Sequence, residues 1–271
     1  MALCCKIISF IIIISTLNNL AISLLDREFG SFSICMEDLL TKGNSSYQNY
    51  YMSVSSLLSN LARESSQPPI PAFFSTTTGS SRDKAYGSYM CWGNITPQLC
   101  QQCVHYVTKE NLNIGFISTD CYAYGTYMFS NICLIRYSNQ SVNEYKKGGS
   151  VFPGGIIGGK VADYTLYNKT LSTTVEGLIR EAGYGNWTRT NFATRVVPVS
   201  GSRDKIHVLV QCTPVISAKN CSQCLQEVYD SVPKSFRSPG EFKHRFHPIG
   251  GEVINGNCIL KFSNQTLIGG A

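Results

Sequence analysis

Two C-x-x-C pairs, Cys100-Gln-Gln-Cys103 and Cys221-Ser-Gln-Cys224, are the residues in this chain best placed to do chemistry. That spacing suits half of a zinc site, a thiol-disulfide redox centre, or structural disulfides. Each pair has a third cysteine nine positions upstream, Cys91 and Cys212, and no thioredoxin-like βαβ pattern surrounds either. The chain opens with Lys6, an apolar run from Ile7 to Ile14 and a small-x-small end at Ala21-Ile22-Ser23, which reads as a cleaved signal peptide over residues 1–23. In an oxidising secretory compartment cysteines close disulfides, so the structural reading is favoured over metal or redox roles. His244 and His247 form an H-x-x-H that reads as a surface loop.

No other reactive constellation stands out. The sequence holds no G-x-S-x-G elbow, H-E-x-x-H, phosphate loop or recurring carboxylate pair, so no catalytic residue, metal site or cofactor is assigned. Asp83 and Asp204 each stand in a Ser-Arg-Asp-Lys tetrapeptide, expected to be a turn with local charge pairing. Seven N-glycosylation sequons begin at Asn44, Asn94, Asn139, Asn168, Asn186, Asn220 and Asn264, and glycans on several of them would leave a partner only the remaining faces.

The elements that position these residues come twice. SRDKAYGSYMCWGNITPQLCQQCV from Ser81 is echoed by SRDKIHVLVQCTPVISAKNCSQCL from Ser202, CLIRYSNQS from Cys133 by CILKFSNQT from Cys258, and SNLARES around Leu61 by EGLIREA around Leu178. Each copy begins with a helical stretch, carrying Tyr51, Val54, Leu57, Leu58 and Leu61 or Leu171, Val175, Leu178 and Ile179 on one face. Strand-like runs follow through Phe73 to Thr78 or Thr194 to Val199, and into Cys91 or Cys212. A shorter helix is expected near Cys103 and Cys224, then strands over Tyr127 to Tyr137 and Val253 to Phe262. The plan is α+β: a small antiparallel sheet packed by two helices, in tandem. The expected boundaries are 24–145 for the first domain, a Gly-rich linker at 146–160, and 161–271 for the second.

Net charge is +6, or +5 once the signal removes Lys6, and it is spread without a basic block, which argues against nucleic acid. No later segment is long and apolar enough to span a bilayer. The mature chain keeps ten cysteines, six in copy one and four in copy two.

The C-x8-C-x2-C spacing, present twice and each time followed by a C-[LI]-x-[RK]-[YF] strand, resembles the plant ginkbilobin-homologous (stress-antifungal) domain; two of them behind a signal peptide resemble the cysteine-rich repeat secretory proteins. The resemblance implies a five-stranded antiparallel sheet with two helices in each domain. It also implies a pairing of Cys35 with Cys121, Cys91 with Cys100, and Cys103 with Cys133, and in copy two of Cys212 with Cys221 and Cys224 with Cys258. Copy two has no cysteine near Phe152 or Phe246, where the first and fifth would fall, and so is expected to be the less stable half. Some relatives hold mannose through an Asn, an Arg and an acidic residue. At those places copy one offers Met36, Tyr127 and Ser138, and copy two offers Glu252 and Ser263 for the last two. The expected function is therefore a secreted, non-enzymatic binding protein of the plant apoplast in defence, stress or cell-wall signalling. Its partner would be a protein such as a receptor-like kinase ectodomain or a second copy, met through sheet faces and aromatics such as Tyr86, Tyr89 and Trp92. A lectin-like antifungal role toward a cell-wall glycan is the alternative, and a thiol redox sensor the third.

Overall fold

Apolar residues at three- and four-residue spacing make the helices, and the computed structural model, which describes residues 32–35, 45–80, 83–93, 95–113, 125–184, 191–235 and 248–267, shows which face each buries. Helix α1 (Ser45–Glu64) buries Tyr50, Val54, Leu57, Leu58 and Leu61. Tyr50 takes the inward place expected of Tyr51, which is only half-buried. Its counterpart α3 (Tyr164–Tyr184) buries Tyr167, Leu171, Val175, Leu178 and Ile179, and is capped by Asp163, whose Oδ1 accepts from the Leu166 amide at 3.0 Å.

The second helix of each copy starts earlier than its cysteines suggest. Helix α2 (Pro97–Asn113) opens on a proline behind Thr96, whose Oγ1 accepts from Leu99 N at 3.2 Å; α4 (Ala218–Ser235) opens behind Ser217, whose Oγ accepts from Asn220 N at 3.2 Å. The cap residues, not the cysteines, set the boundary.

Ten strands form two five-stranded antiparallel sheets. The first orders β1 (Phe32–Cys35), β4 (Gly125–Phe129), β5 (Cys133–Ser138), β3 (Ala85–Cys91) and β2 (Phe73–Thr78) as β1-β4-β5-β3-β2. The second orders β6 (Val151–Gly158), β9 (Pro248–Asn255), β10 (Cys258–Ser263), β8 (Lys205–Cys212) and β7 (Phe192–Pro198) as β6-β9-β10-β8-β7. Much of the stretch 146–160, expected as a linker, is thus strand β6. Backbone pairing with β9 outweighs its glycines, and a register shift between Pro153 and Gly155 absorbs the proline, which has no amide to give a ladder. Cys35 lies opposite Thr126, and the counterpart of Thr126, Gly251, lies opposite Ile156, so the position matching the first cysteine is Ile156 rather than Phe152.

The SRDK turns are held by hydrogen bonds. Ser202 Oγ donates to Asp204 Oδ2 at 3.1 Å, and Ala162 N donates to the same oxygen at 3.1 Å. Among the described residues Asp204 makes no ion pair, so the charge pairing expected of the second SRDK turn is corrected; in the first, Ser81 and Arg82 lie outside the described residues. The two copies also differ in volume at the helix-sheet contact: Gly87 receives Leu57 so closely that a Cβ there would lie 2.5 Å from Leu57 Cδ2, whereas copy two has at the equivalent position Val208, buried in the core shared with α3.

Each sheet is apolar on both faces, but helices cover only one. The other faces meet. Met90, Trp92, Phe129 and Leu134 of the first sheet and Leu209, Ile254 and Ile259 of the second form one buried cluster, joined by Ile34, Phe73, Tyr127 and Phe152. Tyr127 and Phe152 rings lie 5.3 Å apart across the seam. Trp92 is the largest side chain there; its Nε1 donates to Ser130 O at 3.1 Å. Gln211 of the second domain grips the main chain on either side of it, donating through Nε2 to Cys91 O (3.0 Å) and accepting at Oε1 from Gly93 N (2.7 Å).

Trp92→Ala should lower unfolding free energy by about 3–5 kcal/mol, as removal of a buried aromatic does, read as an earlier denaturant midpoint monitored in both domains. Burial holds Tyr89 and Tyr167 protonated well above the ordinary phenol value, and burial followed by the Glu227 carboxylate pushes Tyr145 up to about 12. Since the unfolded chain ionises near pH 10 while the folded chain stays protonated, stability should be intact below pH 10 and fall as pH climbs toward 12. An alkaline melting series with phenolate absorbance checks the sign.

Candidate functional site

The disulfides place each second helix. Cys100 and Cys103 lie on one side of α2, and they bridge to Cys91 and Cys133, which face each other in the β3–β5 register. Copy two repeats this with Cys212–Cys221 and Cys224–Cys258 across the β8–β10 register pair Cys212 and Cys258. All eight sulfurs belong to residues at most 2% exposed, a setting that shields bridges from exchange. Cys35 is also disulfide-bonded, and Cys121, the partner expected for it, lies outside the described residues. Among the described residues no group of His, Cys, Asp and Glu could hold a metal ion; His244 and His247 lie outside them.

Two cavities open at matching places, where the seam between the sheets reaches the surface. The first, of about 120 Å³, is lined by Tyr127, Arg136 and Ser138 of the first domain, by residues of the 140–150 connection and by Asn255 and Asn257 of the second domain. The second, of about 360 Å³, is lined by Glu252, Lys261 and Ser263 of the second domain, the Gly154–Gly155 bend of β6, and Asn131 of the first. The positions matched to the sugar-binding Arg and acid thus lie in these cavities, as Tyr127 with Ser138 and Glu252 with Ser263; Met36 lies outside the described residues.

What fills each floor is a buried cation that the sequence reading did not single out. Arg136 and Lys261 occupy equivalent positions on β5 and β10 and are 6% and 5% exposed. Lys261 Nζ lies 2.7 Å from Glu252 Oε2, donates to Asn131 O across the seam at 3.1 Å, and sits 4.9 Å above the Trp92 ring. Arg136 faces Tyr127 instead. Its Nε donates to Ser88 Oγ at 3.3 Å and its Nη2 to Asn257 Oδ1 at 3.2 Å, with the amide oriented so that Nδ2 donates to Glu144 O. Gly256 leaves room for this guanidinium: a Cβ there would fall 2.3 Å from Nη1. Burial lowers both cations below their ordinary values, offset by Tyr127 at Arg136 and by Glu252 at Lys261. The signal was present in the repeated C-[LI]-x-[RK]-[YF] block, where a cation interrupts an apolar strand.

The aromatics expected on a free face are placed otherwise. Tyr89 is in the helix-side core and Trp92 in the seam, both fully buried, and Tyr86 is half-buried under Lys84. Of the sequons, Asn139 and Asn168 are exposed, Asn220 and Asn264 are half-buried, and Asn44, Asn94 and Asn186 lie outside the described residues. Ser222 Oγ and Asn264 Oδ1 are buried without a partner.

A family model described as salt stress response/antifungal matches residues 34–140 and 158–265. The chain belongs to this family. Among curated members, cysteine-rich repeat secretory protein 6 of Arabidopsis thaliana is 28% identical over 191 residues, covering 69% of this chain and 67% of that protein. Cysteine-rich repeat secretory protein 5 of the same organism is 26% identical, covering 66% and 65%. Cysteine-rich receptor-like protein kinase 4 is 23% identical over 86% of this chain but only 31% of its own length. The tandem DUF26 ectodomains of the Arabidopsis thaliana cysteine-rich receptor-like proteins PDLP8 and PDLP5 share the fold, with TM-scores of 0.62 and 0.54 at 17% and 20% identity, covering 87% and 86% of this chain and 98% and 97% of theirs. No helix among the described residues is long and apolar enough to cross a membrane.

Glu252→Gln, which strands the Lys261 ammonium, should cost about 3–5 kcal/mol, while Glu252→Gln with Lys261→Met should recover most of it, read in a denaturant double-mutant cycle. Glycopeptide mapping should find Asn139 and Asn168 occupied and Asn220 and Asn264 largely bare.

Proposed function

We propose that this chain is a secreted, non-enzymatic recognition protein of the plant exterior, acting in defence, stress or cell-wall signalling by contact with another protein. Membership in a family whose curated members are secretory proteins and receptor-like kinases supports the extracellular setting. The observation that carries the binding reading is the make-up of the two matched cavities. Tyr127 and Ser138 in one, and a Glu252 already paired with Lys261 in the other, stand where sugar-holding relatives have an Arg and an acid, so neither cavity offers a neutral sugar that charged donor and acceptor pair at these positions. The surface offered to a partner differs from the one expected, because the helix-free sheet faces cover each other. What remains are the outer sides of the helices and the sheet edges, β1 and β2 of the first sheet and β6 and β7 of the second; on β7 Val196 is exposed beside the Arg195–Glu181 ion pair. An edge strand with open amides and carbonyls supports backbone pairing to a partner strand.

The redox alternative loses support from the depth of the bridges. The lectin alternative is favoured by the larger second cavity, of about 360 Å³. Biolayer interferometry of the secreted glycoprotein against receptor-like kinase ectodomains and against itself, run beside a glycan array, separates these readings. We expect saturable binding to a protein and silence on mannose-containing glycans; sugar binding with no protein partner would favour the lectin.

A further inference from the structure

Arg136 differs from its counterpart in one decisive respect. Lys261 has a carboxylate at 2.7 Å, whereas among the described residues no carboxylate lies in ion-pair range of Arg136. A guanidinium cannot shed its proton to escape burial, so its charge has to be met by something. The cavity over it is rich in donors. Ser138 Oγ already accepts from Gln140 N and Ser141 Oγ from Asn143 N, which leaves each hydroxyl proton free to donate. Asn255 Oδ1 accepts from Asn257 N, which leaves its Nδ2 as a donor. Lys146 lines the same cavity and is tethered to Gln140 Oε1, which consumes an acceptor the lining would otherwise offer. The one acid on the lining, Glu144, is exposed and makes no ion pair among the described residues.

We propose that this inter-domain cavity binds a small oxyanion, a carboxylate or a phosphate, between Arg136 at its floor, Lys146 at its mouth and the donors of Ser138, Ser141 and Asn255. Its volume of about 120 Å³ suits a small anionic group. The lining is drawn from both domains and their connection, so an anion there ties the three together and stabilises the tandem arrangement by linkage. The second cavity is an internal control, because Glu252 already neutralises its lysine. This ligand is distinct from the protein partner proposed above and stands whether or not that partner exists.

The test is calorimetric titration and thermal unfolding of the full secreted protein with inorganic phosphate and, separately, galacturonate, against chloride at equal ionic strength. A saturable signal with either anion is expected, and the anion that gives it names the source. Lys146→Ala should weaken it by about two- to fivefold, the worth of one exposed charge contact, while Lys147→Ala, one residue away and outside the lining, leaves it unchanged. Arg136→Met should abolish the response while keeping or raising the anion-free melting temperature, because it removes an uncompensated buried charge. No saturable signal above chloride, or equal losses from Lys146→Ala and Lys147→Ala, overturns the proposal. The lysine pair decides the matter even where Arg136→Met fails to fold.

Discussion

A sheet with apolar residues on both faces must be covered on both, and in each domain the helices cover one. Everything at the seam follows from that constraint. Met90, Trp92 and Leu134 on one side and Leu209, Ile254 and Ile259 on the other are removed from water only because the two domains present these faces to each other. The hydrogen bonds refine the fit. Gln211 binds the main chain of the other domain at the end of β3, at Cys91 and just beyond it at Gly93, and so satisfies main-chain groups at the seam.

Duplication gives the seam an approximate two-fold character. Lys261 reaches Asn131 in the β4–β5 turn of the first domain, and Arg136 reaches Gly256 and Asn257 in the β9–β10 turn of the second. The copies differ at the partner position, Tyr127 against Glu252, so among the described residues one buried cation has a carboxylate beside it and the other does not.

Much of each domain was legible in the sequence because local and repeated signals agree. The recurring blocks mark the duplication, the three- and four-residue spacing of Val54, Leu57, Leu58 and Leu61 marks α1, and the C-x8-C-x2-C runs mark the junction of strand and helix. Two kinds of feature were not legible. A glycine-rich stretch has no side-chain pattern to reveal a strand, and β6 is defined by its backbone pairing with β9. The seam is the other: alternation shows that Trp92 and Leu134 share a face, but a face turned to solvent, to a partner or to a second domain reads identically along the chain. The repeated C-[LI]-x-[RK]-[YF] block marks Arg136 and Lys261, but their partners Asn257 and Asn131, like those of Gln211, lie more than 100 positions away, and local spacing carries no trace of those pairings.

Differential scanning calorimetry of the intact, oxidised protein tests the claim that the two sheet faces bind the tandem into one unit. One transition, with calorimetric and van't Hoff enthalpies equal for the whole chain, is the predicted result. Two resolved transitions, with the copy that has only two bridges melting first and the other unaffected, would contradict it.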